Sequence, residues 1–205
     1  MHWSLFASPE HAFATAMLVT TLSALAVAGW LNWRAHRQPE LRALAGFGAM
    51  MALWCLGHWL ILQGVYDVGV ALVLANPLMP TFFLLFSASF VNTGPGRDPF
   101  LSLLVRHRHR LIGLSLLVLL ASVLGGGGTT RPWLDFPAFF VLTPVGWLNM
   151  VYTVALGFLA HAVLIWGVRK HSGNRRRSII AMFLAGGLGL ALATSFILPS
   201  LGLMV

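Results

Sequence analysis

Residues 53–90 read LWCLGHWLILQGVYDVGVALVLANPLMPTFFLLFSASF, two apolar runs folded over a four-residue polar break at residues 66–69. The first run carries Trp54, His58, Trp59 and Gln63, and the second carries Asn76, Pro77 and Pro80. A proline inside a helix removes a backbone donor and crowds the carbonyl four residues back, so groups freed near Pro77 and Pro80 need partners from neighbouring helices or trapped water. Broken intramembrane helices often line binding sites. Two roles stay open for Asn76: facing a ligand at the break, or flanking a plain kink.

The rest of the chain extends this pattern in both directions. Of 205 residues, 58% are hydrophobic and 9% charged, and the mean hydropathy is +0.83. Apolar runs of about twenty residues recur throughout, which defines an all-α, polytopic transmembrane helical bundle. A β-barrel does not fit, because the runs are continuous rather than alternating and too long for barrel strands. The expected spans are about 12–33, 43–65, 70–91, 111–124, 145–168 and 179–205, all within one transmembrane unit covering residues 1–205. The N-terminal residues lack the positive region of a secretory signal, so the first run is read as a retained span.

Charge orients the bundle. Twelve of the thirteen Lys and Arg residues fall in the loops after spans one, three and five: Arg34, Arg37 and Arg42; Arg97, Arg106, Arg108 and Arg110; Arg169, Lys170, Arg175, Arg176 and Arg177. The remaining one, Arg131, is on the other face. Positive residues mark the cytoplasmic side, so the N-terminus is expected outside, in a bacterial inner membrane. The net charge of +8 is thus a topology signal, not one for nucleic acid. Six spans place the last residue outside on an apolar run, which leads us to expect a missing seventh span; a natural six-span protein is the alternative.

Chemistry-bearing residues are sparse. His58 is either a functional intramembrane group or a structural one bonded to a neighbouring helix. Pairing it with His161 around a haem fails on depth, since the two differ by about 13 Å along the membrane normal at 1.5 Å per residue. No Asp or Glu falls inside a span: Glu10, Asp67 and Asp135 are expected outside, Glu40 and Asp98 inside. That counts against proton-coupled transport and intramembrane proteolysis. No catalytic residue, cofactor or metal site is assigned. The lone Cys55 reads as a small hydrophobe. RHRHR at residues 106–110 and NRRRS at 174–178 are expected to meet anionic lipid head groups, and the FLSLL before the first to lie at the interface as an amphipathic piece. The outer loop, with Trp133, Phe136, Phe139, Phe140 and Trp147, is either an interfacial anchor or a lid over a cavity. That cavity, the candidate ligand site for an apolar small molecule, takes Trp54, His58, Asn76, Pro77, Pro80, Asn149 and Tyr152. Ala185, Gly189 and Ala193, at four-residue spacing, permit close helix packing.

The order of segments resembles a known module. FGAMMALWCLGHWLILQG at 47–64, VLANPLMPTFFLLFSASFVNTG at 73–94, the basic and then aromatic loops, VGWLNMVYTVALGFLAHAVLIWGVRK at 145–170 and the RRR-led final run are similar to the N-terminal seven-transmembrane sensor region of bacterial histidine kinases. The same module also precedes diguanylate cyclases. The resemblance implies a non-catalytic input unit, a seventh span leading to a cytoplasmic output domain, and by analogy a homodimer; it transfers no residue roles. The rival is a small membrane enzyme or transporter half that acts without a soluble domain.

Overall fold

The computed structural model describes residues 8–35, 38–93, 97–134 and 136–200, with the backbone alone at 190–199. The chain order is α1 (Pro9–Arg34), α2 (Pro39–Leu62), α3 (Tyr66–Val73), α4 (Leu78–Val91), α5 (Pro99–Arg106), α6 (Arg108–Leu124), β1 (Gly128–Trp133), β2 (Phe136–Leu142), α7 (Gly146–Lys170) and α8 (Gly173–Ser200). Proline opens α1, α2 and α5, where its missing N–H costs no hydrogen bond. Ser8 and Asp98 cap α1 and α5 by accepting from the His11 and Leu101 amides.

Among the described residues, four segments are long and apolar enough to cross a bilayer: α1, α2, α3 with α4, and α7. At 17 residues, α6 spans roughly 25 Å, short of the ~30 Å hydrocarbon layer. It passes the test only together with α5, from which it bends by 60° at His107. The segment expected at the interface forms α5, and the bend separates it from α6. α1 packs against α2 and buries little besides Thr21, Ala28 and Leu31, leaving Val19, Leu22, Leu25 and Trp30 outward. Apolar side chains facing out along helices of this length belong in lipid, and the protein is a multi-pass membrane protein.

The structure moves one boundary read from the sequence. Residues 66–69 are not a break; Tyr66–Val73 is helical and the turn lies at residues 63–65. Gly64 has φ 81°. Its amide donates to the Ile61 carbonyl and that of Val65 to the Leu60 carbonyl, the double bond of a glycine-terminated helix end. This backbone geometry stops α2 before its hydropathy does.

The outer aromatic segment is a second departure, a two-stranded hairpin within an otherwise helical bundle. β1 and β2 pair antiparallel from Gly128↔Leu142 to Trp133↔Phe136, with a bulge between Arg131 and Trp133. β2 buries Ala138, Phe140 and Leu142 against Ile61 of α2 and Val73 and Leu74 at the end of α3. Because the strand is covered on both faces, it has no polar alternation to betray it. The opposite, basic end is held by Leu84, Ala88 and Val91 of α4 against Leu101, Ala160, Leu164 and Ile179.

Backbone approaches backbone where α2 meets α3. A Cβ on Gly57 would lie 2.7 Å from the Gly69 carbonyl oxygen, and one on Gly69 would lie 2.8 Å from that of Gly57. On α8, by contrast, Ala185 and Gly189 face outward. Gly186 instead provides the close approach, to Phe83 and His161.

Candidate functional site

Two neighbouring clusters surround the helix break. The first is an aromatic cage on His58, which is 3% exposed. Trp54, one turn earlier on α2, meets the imidazole edge-on at 4.5 Å between centroids. Phe13 of α1 lies at 6.2 Å, and Phe139 and Phe140 of β2 at 6.2 and 6.1 Å. Phe136 closes the circle on Phe13 at 5.4 Å, and Trp133 packs on Phe139 at 4.7 Å. The hairpin thus packs across the end of α2 over His58.

The second cluster satisfies the backbone at residues 74–80, and its logic follows from the prolines. Pro77 has no N–H for the Val73 carbonyl, which accepts from Asn76 instead at 3.2 Å. Pro80 likewise offers nothing to the Asn76 carbonyl, which accepts from Met79 at 3.1 Å. The Leu78 amide turns to Ala75, at 3.1 Å. The Leu74 carbonyl is thereby freed, and Asn149 of α7 donates its side-chain amide to it at 2.8 Å. The same nitrogen reaches Ser122 Oγ of α6 at 3.2 Å. Asn149 is 2% exposed, so this is a dry link between two helices and the break.

One turn further along, Thr81 donates to the Pro77 carbonyl and meets Ser115 Oγ at 2.6 Å. Ser115 in turn is 3.0 Å from the Tyr152 hydroxyl. Asn149 and Tyr152, chosen from sequence, do converge on the break, while Asn76 is half-buried and Pro77 and Pro80 are buried. Trp54 and His58 belong to the cage instead. Thr81, Ser115 and Ser122 escaped the sequence reading, although Ser115 and Ser122 lie seven residues apart on one face of α6 and are its two buried positions.

His161 lies deeper, on the four-residue stripe Asn149, Thr153, Gly157 and His161 of α7. Its Nδ1 donates to the Gly157 carbonyl at 2.7 Å. The ring packs on Phe83 and Phe183 at 5.3 and 5.9 Å. Its ring contacts come from α4 and α8, whereas the cage on His58 is built from α1, α2 and β2.

At the basic end, α4 is tied to the start of α8. His171 Nε2 donates to the Val91 carbonyl at 2.9 Å. Arg175 donates to the Phe90 carbonyl and to Thr93 Oγ1, and its guanidinium sits 4.1 Å over the Phe90 ring. Cations on the last carbonyls of a helix complement its dipole. Arg175→Gln is expected to cost about 1 kcal/mol, read as an earlier melting midpoint in detergent, whereas Arg176→Gln, on an exposed residue, is expected to leave it unchanged. Arg34 stacks on Trp30 and Trp33 at 5.6 and 5.7 Å, and Lys170 on Trp166 at 4.7 Å. Arg42, Arg106, Arg108, Arg110, Arg169, Arg176 and Arg177 are exposed. Arg37 and Asp135 lie outside the described residues.

A bundle of lipid-facing helices with a capped interior, a broken central span and polar links across the break has the architecture of a membrane input unit. Residues 16–203 match the family described as the N-terminal 7TM region of histidine kinase, and the chain belongs to that family. No curated protein and no solved structure matches it. The region is a membrane sensor of histidine-kinase signalling, an input module and not a catalytic domain.

Proposed function

We infer that the protein senses a membrane-embedded or extracytoplasmic stimulus in a bacterial inner membrane and passes it to a cytoplasmic output domain beyond these residues. The N-terminus lies outside, six spans precede a seventh, and the basic loops face the cytoplasm. The stimulus, an apolar small molecule or a change in the bilayer, acts on the outer half between the hairpin, α2, α3 and α7. The Asn149 bond to the freed Leu74 carbonyl supports this reading most directly, because a single side-chain hydrogen bond across the break is a link that a stimulus can release.

Coupling then follows the chain. The break leads into α4, whose last carbonyls are held by His171 and Arg175, so a shift at Leu74 is carried to the start of α8. A ligand drives that shift only through different affinities for the linked and the released arrangement.

The test is His58→Ala together with Asn149→Leu in the full-length protein, with autophosphorylation measured in membranes. Coupling free energies of 1–3 kcal/mol correspond to roughly 5- to 150-fold, so a change in output of about fivefold or more is expected. Wild-type output from the double variant at wild-type membrane levels would remove the cage and break from the sensing path.

A further inference from the structure

The basic end carries a cleft that the sensing path does not use. It encloses about 490 Å³ between the start of α2, the middle of α4 and the α5–α6 corner, within the roughly 300–1,000 Å³ typical of small-molecule sites. Its walls are apolar: Phe82 and Leu85 from α4 and Ile112 from α6. Its rim carries positive charge from Arg42 of α2 and Arg108 of α6, with the His109 imidazole beside them. Pro39, the first residue of α2, also lines it, so the positive end of that helix dipole adds to the rim. Arg108 Nε lies 3.4 Å from His109 Nε2, which sets the two side chains together.

Cationic groups from two separate helices above an apolar slot match a ligand with an anionic head and a hydrocarbon body. We propose that this cleft binds one phosphate-bearing amphiphile of the bilayer, an anionic phospholipid, with its head group on Arg42, Arg108 and His109 and part of an acyl chain against Phe82, Leu85 and Ile112. Basic pockets between membrane helices recognise head groups in this way. The site contacts α2, α4 and α6 simultaneously. The proposal stands apart from the sensing role, since it concerns binding alone.

The experiment uses the intact protein in neutral detergent and follows bound lipid by native mass spectrometry. Phosphatidylglycerol, phosphatidylcholine of the same chains and inorganic phosphate are the probes. Phosphatidylglycerol is expected to be retained over phosphatidylcholine. Arg108→Gln is expected to weaken it about fivefold, the effect of about 1 kcal/mol per basic residue. Ile112→Trp, which fills the slot without altering charge, is expected to weaken it as well. Arg176→Gln with Arg177→Gln, which removes two charges from another loop, is expected to leave it unchanged. Equal retention of the two lipids, competition by inorganic phosphate at matching concentration, or an equal loss in the Arg176/Arg177 control would each overturn the proposal. The first excludes anion selectivity, the second a role for the acyl chain, and the third a localised site. Should Ile112→Trp not fold, Arg108→Gln against the control pair still decides, as all three residues are exposed.

Discussion

Gly57→Leu is expected to abolish the folded bundle. A side chain there would enter the space of the Gly69 carbonyl at 2.7 Å and of Val73 Cγ2 and its backbone nitrogen at 2.9 Å. Two of those three contacts are backbone, which cannot turn aside as a rotamer can. Overpacking a core costs about 1–3 kcal/mol where side chains can give way, and here α2 and α3 must separate, so the cost is expected to exceed that range. Separation would also pull α3 from the hairpin, because Val73 and Leu74 share a cluster with Ala138 and Phe140. The measurement is the monodisperse fraction after detergent extraction, expected to collapse. Gly113→Ala is the control: nothing lies within 4 Å of a Cβ at that position, and replacing a helical glycine by alanine gains about 0.5–1 kcal/mol in water. A Gly57→Leu protein that extracts and melts like wild type would show that α2 and α3 do not pack through these glycines.

Asn149→Leu is expected to lower stability by about 1–2 kcal/mol, since it leaves the Leu74 carbonyl without its donor in a dry interior. Leucine preserves most of the volume, so the loss reports on the hydrogen bonds and not on a cavity. Melting in detergent reads the effect, and hydrogen exchange across residues 74–80 should rise with it. Thr153, one turn along the same helix, sharpens the comparison. Its buried hydroxyl has no hydrogen-bond partner among the described residues, so Thr153→Val is expected to be neutral or stabilising. Equal behaviour of the two variants would mean that the Asn149 bond holds nothing in place.

The same contrast marks how far the sequence could be read. Asn149 and Thr153 are both polar residues on an apolar helix, four positions apart, and although the sequence marks Asn149 as a candidate it does not say which of the two finds a partner. The Leu74 carbonyl faces one of them, and a carbonyl leaves no signature in a residue pattern. The sensor family, by comparison, was recognisable from the LW-x-x-G stretch at residues 53–57, the double proline of the third span and the RRR-led final run, and the match over residues 16–203 bears it out.

Hydropathy and charge by themselves determined that the chain lives in a bilayer, that its basic loops share one end, and that its third span breaks near Pro77. Each of these depends on single-residue properties summed over a stretch: apolar transfer free energy, ionic charge, or a missing amide. Tertiary structure alone decided that the outer aromatic segment pairs as a hairpin over His58, that α2 stops at Leu62, and that Gly57 meets Gly69. It also decided that Asn149 closes on the freed Leu74 carbonyl and that Thr81, Ser115 and Ser122 join the links beside it. These are matters of contact between residues far apart in the chain, or of a backbone angle such as that of Gly64, where many sequences satisfy the same composition and packing geometry selects among them.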